Sequence, residues 1–477
     1  MEQGVIFGNL SDSNKKQNDD NTLENHEEEI QKLHLLLKEK DKQIVSLQKA
    51  LENSQELIVN IHQSKALKLF NKYDTTIGKV LPIRIKKNLR YCNKTMKDET
   101  SEIKLELLSI NTNKKDILFF PMIDWNYRYQ RSHHMTQKFA EKGHRIFYFT
   151  VTLQPQEDEY RILRLDKNIY QIQLKFPRFF DIYKDKFTKK DLEYLVTIIL
   201  RLKNEIKINA FCFVMFPTWT SLAIQLKNMF DFPIVADCVD EIQGFSNIHQ
   251  NRVKEEKLLI ELSDQVICSS TYLYHKISSM SKNVVLIPNG GDFKHFNKFN
   301  HKLLADYVKP IVGYFGAIAE WFDTDLVEFL VSSRPELTFV FIGDTYGSNL
   351  DKLRKFENVF FLGERPYSEL PNYLHSFDVC IIPFKINKLT KAAHPIKIYE
   401  YFAAGKPVVT TNMPELVMMK DLCYVVHDKN DFLAKLDIAL VENNKDLVKK
   451  RMEYAEMNTW EKRFDVLYAT LENIISL

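Results

Sequence analysis

The sequence predicts an α/β protein with two doubly wound domains that face one another across a cleft, preceded by a coiled-coil helix. From about residue 115, buried strand-like runs alternate with amphipathic helical segments. The alternation restarts after Pro310, which indicates a second domain. Before both domains, hydrophobic residues recur every seven positions. A chain of 477 residues with 45% hydrophobic content also exceeds what one ordinary core needs.

The first 70 residues divide into two segments. Residues 1–22 are polar, rich in Asn, Asp and Ser, and we expect them to be disordered. Residues 23–70 carry a heptad repeat, although Lys40 and Ser54 interrupt its second hydrophobic series. We predict a coiled coil that makes the protein a homo-oligomer, and a single helix folded back on the body is the alternative. The main heptad positions are Ile30, Leu37, Ile44, Leu51 and Ile58.

Residues 71–114 form a basic linker or an amphipathic segment. Residues 65–97 contain ten Lys or Arg and one acid, a local charge of +9. The rest of the chain sums to −6, because the whole chain carries +3. Two interpretations stay open, a segment lying on an anionic membrane surface and a solvated linker, since Pro82 would interrupt a helix. The overall charge is too mild for a dedicated nucleic-acid-binding protein, so we expect no nucleic acid partner.

The two α/β domains are expected at residues 115–300 and 301–455, followed by a helical segment at 456–477. DILFFPM, an amphipathic helix that ends at Gly143, and RIFYFTV make the first β-α-β unit. The second domain begins with PIVGYFGAI after Pro310. Ligands of such sheets bind at the carboxyl ends of the strands, so the cleft between the domains is the expected site.

The N-terminus MEQGVIFGNL lacks the pattern of a signal peptide, and no window reaches the roughly 18 apolar residues of a membrane span. The six cysteines form no CxxC pair, and most lie in apolar strand-like runs. We therefore expect a cytoplasmic protein, located at the inner face of the cell membrane if the basic segment binds lipid.

The loop after the first strand, DWNYRYQRSHH, concentrates charged and aromatic residues. Strand-end loops carry function in this architecture, which favours a binding role over a decorated surface loop. Arg128 and Arg131 are candidates for holding anionic groups, and Trp125 or Tyr127 for stacking on a sugar ring. Either histidine of the loop could transfer a proton, and an ordinary structural histidine is the alternative for each.

Three further strand-end positions are candidates. The loop DCVDEIQGF presents Asp240 at the expected edge of the cleft, with a helix N-cap as its alternative role. GYFGAIAEWFD turns at Gly316, where a side chain would obstruct the approach of a ligand to the backbone. Gly313 and Gly316 do not make a GxGxxG motif, which argues against a dinucleotide-dependent oxidoreductase. Asp323 begins a helix, so a cap is favoured over a metal ligand.

The stretch KAAHPIKIYEYFAAGKPVV holds one carboxylate, Glu400, in a short and mostly apolar helix that we expect to begin at His394–Pro395. The free N–H groups of the helix start can hold a phosphate, and Lys385, Lys391 and Lys397 bring positive charge to the same rim. Lys397 and Glu400 lie three residues apart on one face, so a local ion pair is the alternative explanation of the buried charge.

Several motifs occur in a fixed order along the chain. They are DWNYRYQRSHHM, IPNGGDFKHF, GYFGAIAEWFD, FLG followed by PYSELPNYL and FDVCIIPF, and PIKIYEYFAAGKPVV. Together they resemble the GT-B glycosyltransferases of the large retaining family 4, especially bacterial enzymes of cell-surface polysaccharide synthesis such as those that make teichuronic acid. The resemblance runs from about residue 115 to the C-terminus. It implies two Rossmann-like domains, the first on the acceptor side and the second on the donor side.

The resemblance implies roles at matched positions. Glu400 would bind the ribose hydroxyls of a nucleoside diphosphate sugar, and the helix start before it would face the diphosphate. The loop at Gly316 would pass close to the donor, while Arg365 and Pro366 would contact its base, largely through the backbone. The final helix, with Trp460, would cross back onto the first domain.

Two departures from the family pattern are evident. Ala392 stands where the EX7E motif has its first acid, eight residues before Glu400. The basic pair that usually follows the first glycine loop of the second domain is missing. The cation for the diphosphate is therefore expected from Lys385, Lys391, Lys397 or Arg128.

We predict a metal-independent glycosyltransferase without a cofactor, which moves a sugar from a nucleoside diphosphate sugar to a cell-surface polysaccharide or lipid-linked glycan with retention. One alternative is a non-catalytic subunit that binds sugar nucleotides or glycans and is scaffolded by the coiled coil. A GT-B sugar-nucleotide epimerase is the other. The predicted catalytic residues are Asp240, His134 and Arg128; the donor-binding residues are Glu400, Lys397, His394, Pro395, Ile396, Gly316, Ala317, Arg365, Pro366, Lys385 and Lys391; the acceptor-binding residues are Asp124, Trp125, Tyr127 and Arg131.

Overall fold

The computed structural model describes residues 99–110, 113–246, 248–345 and 349–476. The predicted disordered segment and coiled coil lie outside the described residues, as does the basic segment up to residue 98. Residues 99–109 are helical, and their buried Ile103 and Leu107 join the core of the first domain. Within the described ranges, no helix is both long enough and apolar enough to cross a membrane.

The first domain is built on a mostly parallel sheet. Its strands are β1 (Asp116–Phe120), β2 (Ile146–Phe149), β4 (Tyr160–Asp166), β5 (Ile169–Leu174), β7 (Ala210–Val214), β8 (Ile234–Cys238), β9 (Gln265–Cys268) and β10 (Val284–Leu286), and β3 (Thr152–Leu153) pairs separately with β6 (Phe180–Asp181). The strand order is β10-β9-β8-β7-β1-β2-β5-β4, with β4 antiparallel to β5. Every residue of β1, β7 and β8 is buried, as expected for strands covered by helices on both faces.

Helices cover both faces of this sheet. They are α1 (Arg131–Glu141), α2 (Lys189–Ile206), α3 (Thr220–Phe230), α4 (Asn251–Leu262) and α5 (Thr271–Ser278), with short 3₁₀ turns at Pro217–Trp219 and Ile242–Gly244. The alternation of side chains along β1 sends Leu118 and Phe120 into one core and Ile117 and Phe119 into the other.

The second domain repeats the plan with a smaller sheet. Its strands are β11 (Ile311–Phe315), β12 (Thr338–Ile342), β13 (Val359–Phe361), β14 (Val379–Ile382), β15 (Val408–Thr411) and β16 (Tyr424–Val426), all parallel in the order β13-β12-β11-β14-β15-β16. The helices are α6 (Phe293–Phe296), α7 (Thr324–Ser333), α8 (Leu370–Leu374), α9 (Lys388–Ala392), α10 (Lys397–Ala403), α11 (Pro414–Val417), α12 (Lys429–Leu440) and α13 (Lys445–Met457). Two successive doubly wound units are present, so the predicted pair of α/β domains is confirmed.

The chain ends on the first domain. Helix α14 (Trp460–Thr470) packs against α1 and buries Phe464 and Leu467 in the core on that side of the first sheet, and α15 (Glu472–Ile475) follows it. The connection passes a crowded point, because a side chain at Gly290 would lie 2.8 Å from the backbone of Trp460. Helix α14 is therefore packed on the first domain, and the close approach of Gly290 to Trp460 lies where the chain enters this helix.

Candidate functional site

A cleft of about 1600 Å³ lies where the carboxyl ends of the two sheets face one another. Its walls come from the loops after β1 and β8 in the first domain and after β11 to β14 in the second. In each sheet the strand order reverses beside the first strand, between β1 and β7 and between β11 and β14. Loops diverge at such a reversal and leave a crevice, so the topology accounts for the position of the cleft.

Two glycines bring the strand ends of the second domain close together. Gly316 and Gly343 have φ angles of +128° and +145°. A side chain at Gly343 would lie 2.0 Å from the carbonyl oxygen of Gly316, and one at Gly316 would lie 3.0 Å from Cε of Lys397. Glycine at 316 thus admits the Lys397 side chain to the cleft wall, in addition to the role in ligand approach that the sequence suggested. Ala317 lines the cleft beside it, and its carbonyl accepts a hydrogen bond of 2.7 Å from Tyr314.

Lys397 and Glu400 lie on the first turns of α10 and both line the cleft. The Lys397 amine lies over the rings of Tyr314 and Phe384, at 5.3 and 5.1 Å, and within the described ranges no ion pair joins it to Glu400. Burial raises the pKa of Glu400 and lowers that of Lys397, and the opposite charges of the two groups partly offset both shifts. The wall therefore offers an acid and an amine whose charges are not consumed by a direct pair.

Three buried polar atoms on this wall lack a hydrogen-bond partner among the described residues. They are Nε of Arg365, Oη of Tyr367 and Nδ1 of His394, and all three residues line the cleft. A buried polar atom without a partner costs about 1–3 kcal/mol, so partners for such atoms are normally supplied by the protein, water or a ligand. Their concentration beside Glu400 marks this wall as one built for a polar ligand. Pro366, also predicted to contact the donor, lines the cleft next to them.

The segment that leads into α10 differs from the prediction. The helix begins at Lys397, with Ile396 as its N-cap, two residues later than the predicted start at His394–Pro395. The His394 carbonyl instead accepts a hydrogen bond of 2.7 Å from Nδ2 of Asn289. Burial lowers the pKa of His394 to about 3, so the ring is neutral. Ile396 lines the cleft, while Pro395 is buried and lies outside the lining.

Two predicted lysines lie elsewhere. The side chains of Lys385 and Lys391 are exposed and do not line the cleft. The backbone N–H of Lys385 donates to Trp321 at 2.8 Å, which joins the loops after β14 and β11. Of the lysines proposed for the diphosphate, Lys397 is the one that the fold places in the cleft wall.

Arg128 reaches the second domain across the cleft. Its Nε donates to Glu364 at 2.6 Å, and its guanidinium lies 3.6 Å from Asp344. The guanidinium also lies 4.7 Å from the centre of the Tyr127 ring. All four residues line the cleft, and Tyr127 is half exposed there. The arrangement places one cation and one aromatic face of the first domain beside the cleft wall of the second domain.

Arg131 has an internal role that the sequence did not suggest. Its guanidinium makes two parallel hydrogen bonds to Asp237, at 2.8 and 2.9 Å, and bonds the carbonyl of Ile287 and the side chain of Asn289. The side chain of Arg131 is almost fully buried. Such a forked ion pair ties α1 to the ends of β8 and β10, and it leaves little of the guanidinium for an acceptor.

Asp124 and Trp125 also have structural partners. Asp124 lines the cleft, and its carboxylate accepts hydrogen bonds from the backbone of Val151 and the hydroxyl of Thr152, at 2.9 and 3.2 Å. Trp125 does not line the cleft, and its ring packs edge-on against Tyr148. Within the described part of the chain, the loop DWNYRYQRSHH therefore contributes to the cleft the exposed ring of Tyr127 and the guanidinium of Arg128, which pairs with Glu364 and Asp344.

His134 lies in the contact between α1 and the C-terminal helix. Its ring stacks on Trp460 with 4.7 Å between ring centres, and it does not line the cleft. Burial is the main reason that the pKa of His134 lies well below its ordinary value. The structure thus places this histidine, predicted to be catalytic, in a position where packing accounts for it.

Asp240 lines the cleft, whereas the adjacent Glu241 does not. Glu241 is buried, pairs with Lys276 at 2.7 Å and accepts from the backbone N–H of Gln243, so Glu241 rather than Asp240 is the N-cap. Burial raises the pKa of Asp240 to about 6. In the described residues, no hydrogen bond or ion pair engages the Asp240 carboxylate. The first domain thereby presents one uncommitted acid to the cleft.

Two other sequence interpretations can now be judged. Asp323 is the N-cap of α7, accepting from the backbone of Leu326 at 3.0 Å, which confirms the predicted capping role. Ala392 is fully buried in the core of the first domain. Helix α9, which contains Ala392, packs closely against the first domain. The contact is so close at Gly244 that a side chain there would lie 2.7 Å from Cβ of Leu389. An acid at position 392 would be desolvated by this domain contact, which is a physical reason for alanine.

Sequence reasoning missed residues whose roles depend on distant partners. The ring of Tyr129 in the first domain packs at a tilt of 33° on the ring of Tyr367 in the second, with ring centres 4.7 Å apart. Glu364 and Asp344 hold Arg128, and Asn289 holds His394. Tyr367 lies within the PYSELPNYL motif, which is the signal that could have drawn attention to it.

Comparison with known proteins agrees with this geometry. Residues 309–443 match the family Glycosyl transferases group 1. The chain is 28% identical over 256 residues to the putative teichuronic acid biosynthesis glycosyltransferase TuaH of Bacillus subtilis, a match that covers 48% of this chain. The chain spans 64% of the length of that relative.

Solved structures share the two-domain fold. A sucrose-phosphate synthase of Thermosynechococcus elongatus superposes with a TM-score of 0.60 at 16% identity, over 76% of this chain and 99% of that protein. HepE of Anabaena in complex with UDP-glucose superposes with a TM-score of 0.57 at 15% identity, over 76% of this chain and all of that protein. The chain therefore has the fold of the GT-B glycosyltransferases, and its residues 309–443 match the family Glycosyl transferases group 1.

Proposed function

We propose that this protein transfers a sugar from a nucleoside diphosphate sugar to a cell-surface polysaccharide or lipid-linked glycan, with retention of configuration. The observation that supports it best is the donor wall. There Glu400, Lys397 and three unpartnered buried polar atoms face a cleft between two doubly wound domains. UDP-glucose in HepE and the description of TuaH support the substrate classes.

The donor would lie against the second domain. Glu400 would accept hydrogen bonds from the two ribose hydroxyls, as the resemblance implies. The base would lie by Arg365 and Pro366. Lys397, and Arg128 from the opposite wall, would carry the positive charge that the diphosphate needs, because the exposed Lys385 and Lys391 lie outside the lining.

The acceptor would enter along the first domain. Tyr127 offers an exposed ring for stacking on a sugar. Asp240, which lines the cleft, would accept a proton or stabilise positive charge. For retention, the resemblance implies a front-side displacement in which the leaving phosphate helps to deprotonate the acceptor hydroxyl. Positioning and charge stabilisation would then be the main contributions of the protein, without a covalent nucleophile and without a metal.

The proposed location and oligomeric state rest on the N-terminal segments. We propose a cytoplasmic protein that forms a homo-oligomer through residues 23–70 and touches an anionic membrane surface through its basic segment. A lipid-linked acceptor would be reached from such a position.

One experiment tests the activity. The purified full chain is incubated with UDP-, GDP-, ADP- and dTDP-sugars, and products are followed by mass spectrometry and by NMR of the anomeric proton. Slow hydrolysis with retained configuration, or transfer to an added glycan, supports the proposal. Binding without turnover favours the non-catalytic subunit, for which the buried Ala392 is the specific observation. A 2-epimer product would identify an epimerase.

A further inference from the structure

Tyr367 carries a hydroxyl that the protein holds in place but does not satisfy. The hydroxyl oxygen is buried and has no hydrogen-bond partner in the described residues, and the residue forms part of the cleft wall. In the same domain, the fully buried Tyr314 donates its hydroxyl to the carbonyl of Ala317 at 2.7 Å. Tyr367 is one of three residues of this wall, with Arg365 and His394, whose buried polar atom has no hydrogen-bond partner among the described residues. Such a group calls for a functional reason.

The ring of Tyr367 is fixed on three sides. It stacks almost parallel on His295, with ring centres 4.4 Å apart and an angle of 8° between the planes. The edge of Phe296 meets it at 5.5 Å, and Tyr129 packs on it from the first domain at 4.7 Å. The Tyr367 carbonyl is bound by Nε2 of His295 at 2.9 Å. A ring held in this way cannot turn its hydroxyl towards another protein acceptor.

The position of the hydroxyl relative to Glu400 matters most. The two groups are close enough for the carboxylate to add to the effect of burial in raising the pKa of Tyr367 well above its ordinary value. The hydroxyl is therefore protonated and acts as a donor. Glu400 also lacks a hydrogen-bond partner in the part of the chain that the structure describes, so neither group satisfies the other. Asp292, the other acid nearby, caps α6 through the backbone of His295 at 3.1 Å.

We propose that Tyr367 donates a hydrogen bond from its hydroxyl to a ribose hydroxyl of the donor nucleotide, next to the carboxylate of Glu400. This inference rests on the proposed function, because it places the ribose at Glu400. A ribose diol has two hydroxyl donors and oxygen acceptors on adjacent carbons. Glu400 can accept from the diol, while the diol oxygen supplies the acceptor that Tyr367 lacks. Tyr367 is thus a positioning residue that helps to orient the ribose through this hydrogen bond.

The test uses Tyr367→Phe in the full chain, which removes one oxygen and keeps the stacked ring. Binding of UDP, GDP and ADP is measured by calorimetry, and the nucleotide that binds best is repeated in its 2′-deoxy and 3′-deoxy forms. We expect the Kd of Tyr367→Phe to rise on the order of 10-fold, the size of one hydrogen bond to a ligand. One deoxy form should lose affinity in the wild type and lose almost none in the variant. The melting temperature should not fall, because the lost hydroxyl bonds nothing in the protein.

Tyr424→Phe is the matched control. Tyr424 is in the same domain and donates its hydroxyl to Glu442 at 2.7 Å, away from the cleft. Its Kd values should equal those of the wild type. If the wild type binds neither these three nucleotides nor dTDP, the proposed function fails. If the wild type binds but Tyr367→Phe keeps the same Kd, or keeps the full penalty for both deoxy forms, the function stands and the role of Tyr367 is overturned. A loss seen only with intact nucleotide sugars would assign the hydroxyl to the sugar and also overturn it.

Discussion

Nε of Arg128, in the first domain, donates a hydrogen bond of 2.6 Å to the carboxylate of Glu364 in the second. Asp344 lies 3.6 Å from the same guanidinium. Arg128 is therefore both a link between the domains and the first-domain cation that we propose for the diphosphate. An anionic ligand would compete with Glu364 for it.

Glu364→Gln should release this competition. Because Glu364 is substantially exposed, its pair with Arg128 is worth at most about 1 kcal/mol, so the Kd for a nucleoside diphosphate should fall by roughly two- to fivefold. Calorimetric titration at low and at physiological salt measures it, with the exposed Glu357→Gln as the control. A weaker complex in Glu364→Gln would show that Arg128 does not bind the diphosphate.

Glu400→Gln should weaken binding of nucleotide at least 10-fold, because the amide replaces a charged acceptor of the ribose hydroxyls. The raised pKa of Glu400 adds a pH dependence. As the pH falls through that pKa, the carboxylate takes up a proton, and wild-type affinity should approach that of the variant. Titrations from pH 8 down to pH 5 measure this, with the exposed Glu456→Gln as the control. Equal affinity of wild type and variant at pH 8 would rule out the ribose assignment.

Asp240→Asn separates a catalytic acid from a structural one. Burial raises the pKa of Asp240 from 3.8 to about 6, so the folded state favours the protonated form. That contribution to stability is fully present below pH 3.8 and is lost as the pH rises through about 6. The variant should therefore melt higher than the wild type at pH 8, by on the order of 3 °C, and the difference should shrink towards pH 4.

The same variant should lose at least 100-fold in turnover while its Kd for the nucleotide stays unchanged. Wild-type turnover should decline below about pH 6, where the carboxylate becomes protonated. Full turnover in Asp240→Asn would remove this residue from the catalytic set and leave it as a cleft acid without a chemical role.

Gly316→Ala should destabilise the fold and weaken nucleotide binding together. The new methyl group would lie 3.0 Å from Cε and 3.1 Å from Nζ of Lys397, at a φ angle of +128°. Gly143→Ala is the control, since its φ is also positive, at +91°, and nothing lies within 4 Å of the added carbon. We expect a loss of about 1 kcal/mol in the control and more in Gly316→Ala, measured by urea unfolding. Equal losses of unfolding free energy in the two variants would show that the Lys397 side chain moves away from the new methyl group without cost.

Removal of residues 1–70 should lower the oligomeric state, because the heptads at 23–70 are the predicted contact between copies. Multi-angle light scattering on the full chain and on residues 71–477 measures the mass of each. Nucleotide binding should persist in the shorter protein, since the cleft is formed by residues beyond 121. Identical monomeric masses for the two proteins would dispose of the coiled-coil prediction.

The fold and the general location of the site were accessible from the sequence. Buried runs such as DILFF and AFCFV, separated by amphipathic helices, predict parallel strands, and parallel strands place their loops at one edge. Gly316 and Asp240 were found because they follow such strands, and Glu400 because it is the one carboxylate in a short, mostly apolar helix. The local cap at Asp323 was found because a cap is formed within four residues.

Pairing between distant residues was not accessible. Arg131 looked like a free cation until the fold brought Asp237 to it from 106 residues away. The sequence suggested His134 as a proton carrier, but in the fold its ring stacks on Trp460. It suggested Lys391 as a cleft residue, but on α9 its side chain is exposed outside the cleft. The contact of Tyr129 with Tyr367 and the hydrogen bond of Arg128 to Glu364 also join residues far apart in the sequence. A side chain's availability depends on partners that its neighbours in sequence do not reveal.

The sequence by itself determined the two doubly wound domains and the strand-end loops that form the cleft, and it singled out Glu400 as a carboxylate in a mostly apolar helix. Hydrophobic periodicity and turn residues act over a few positions, so they can be read along the chain. Only the tertiary structure decided which charged groups stay uncommitted, because burial and ion pairing arise when separate segments meet. Asp240, Lys397 and Glu400 kept their charges available to a ligand, and Arg131 did not.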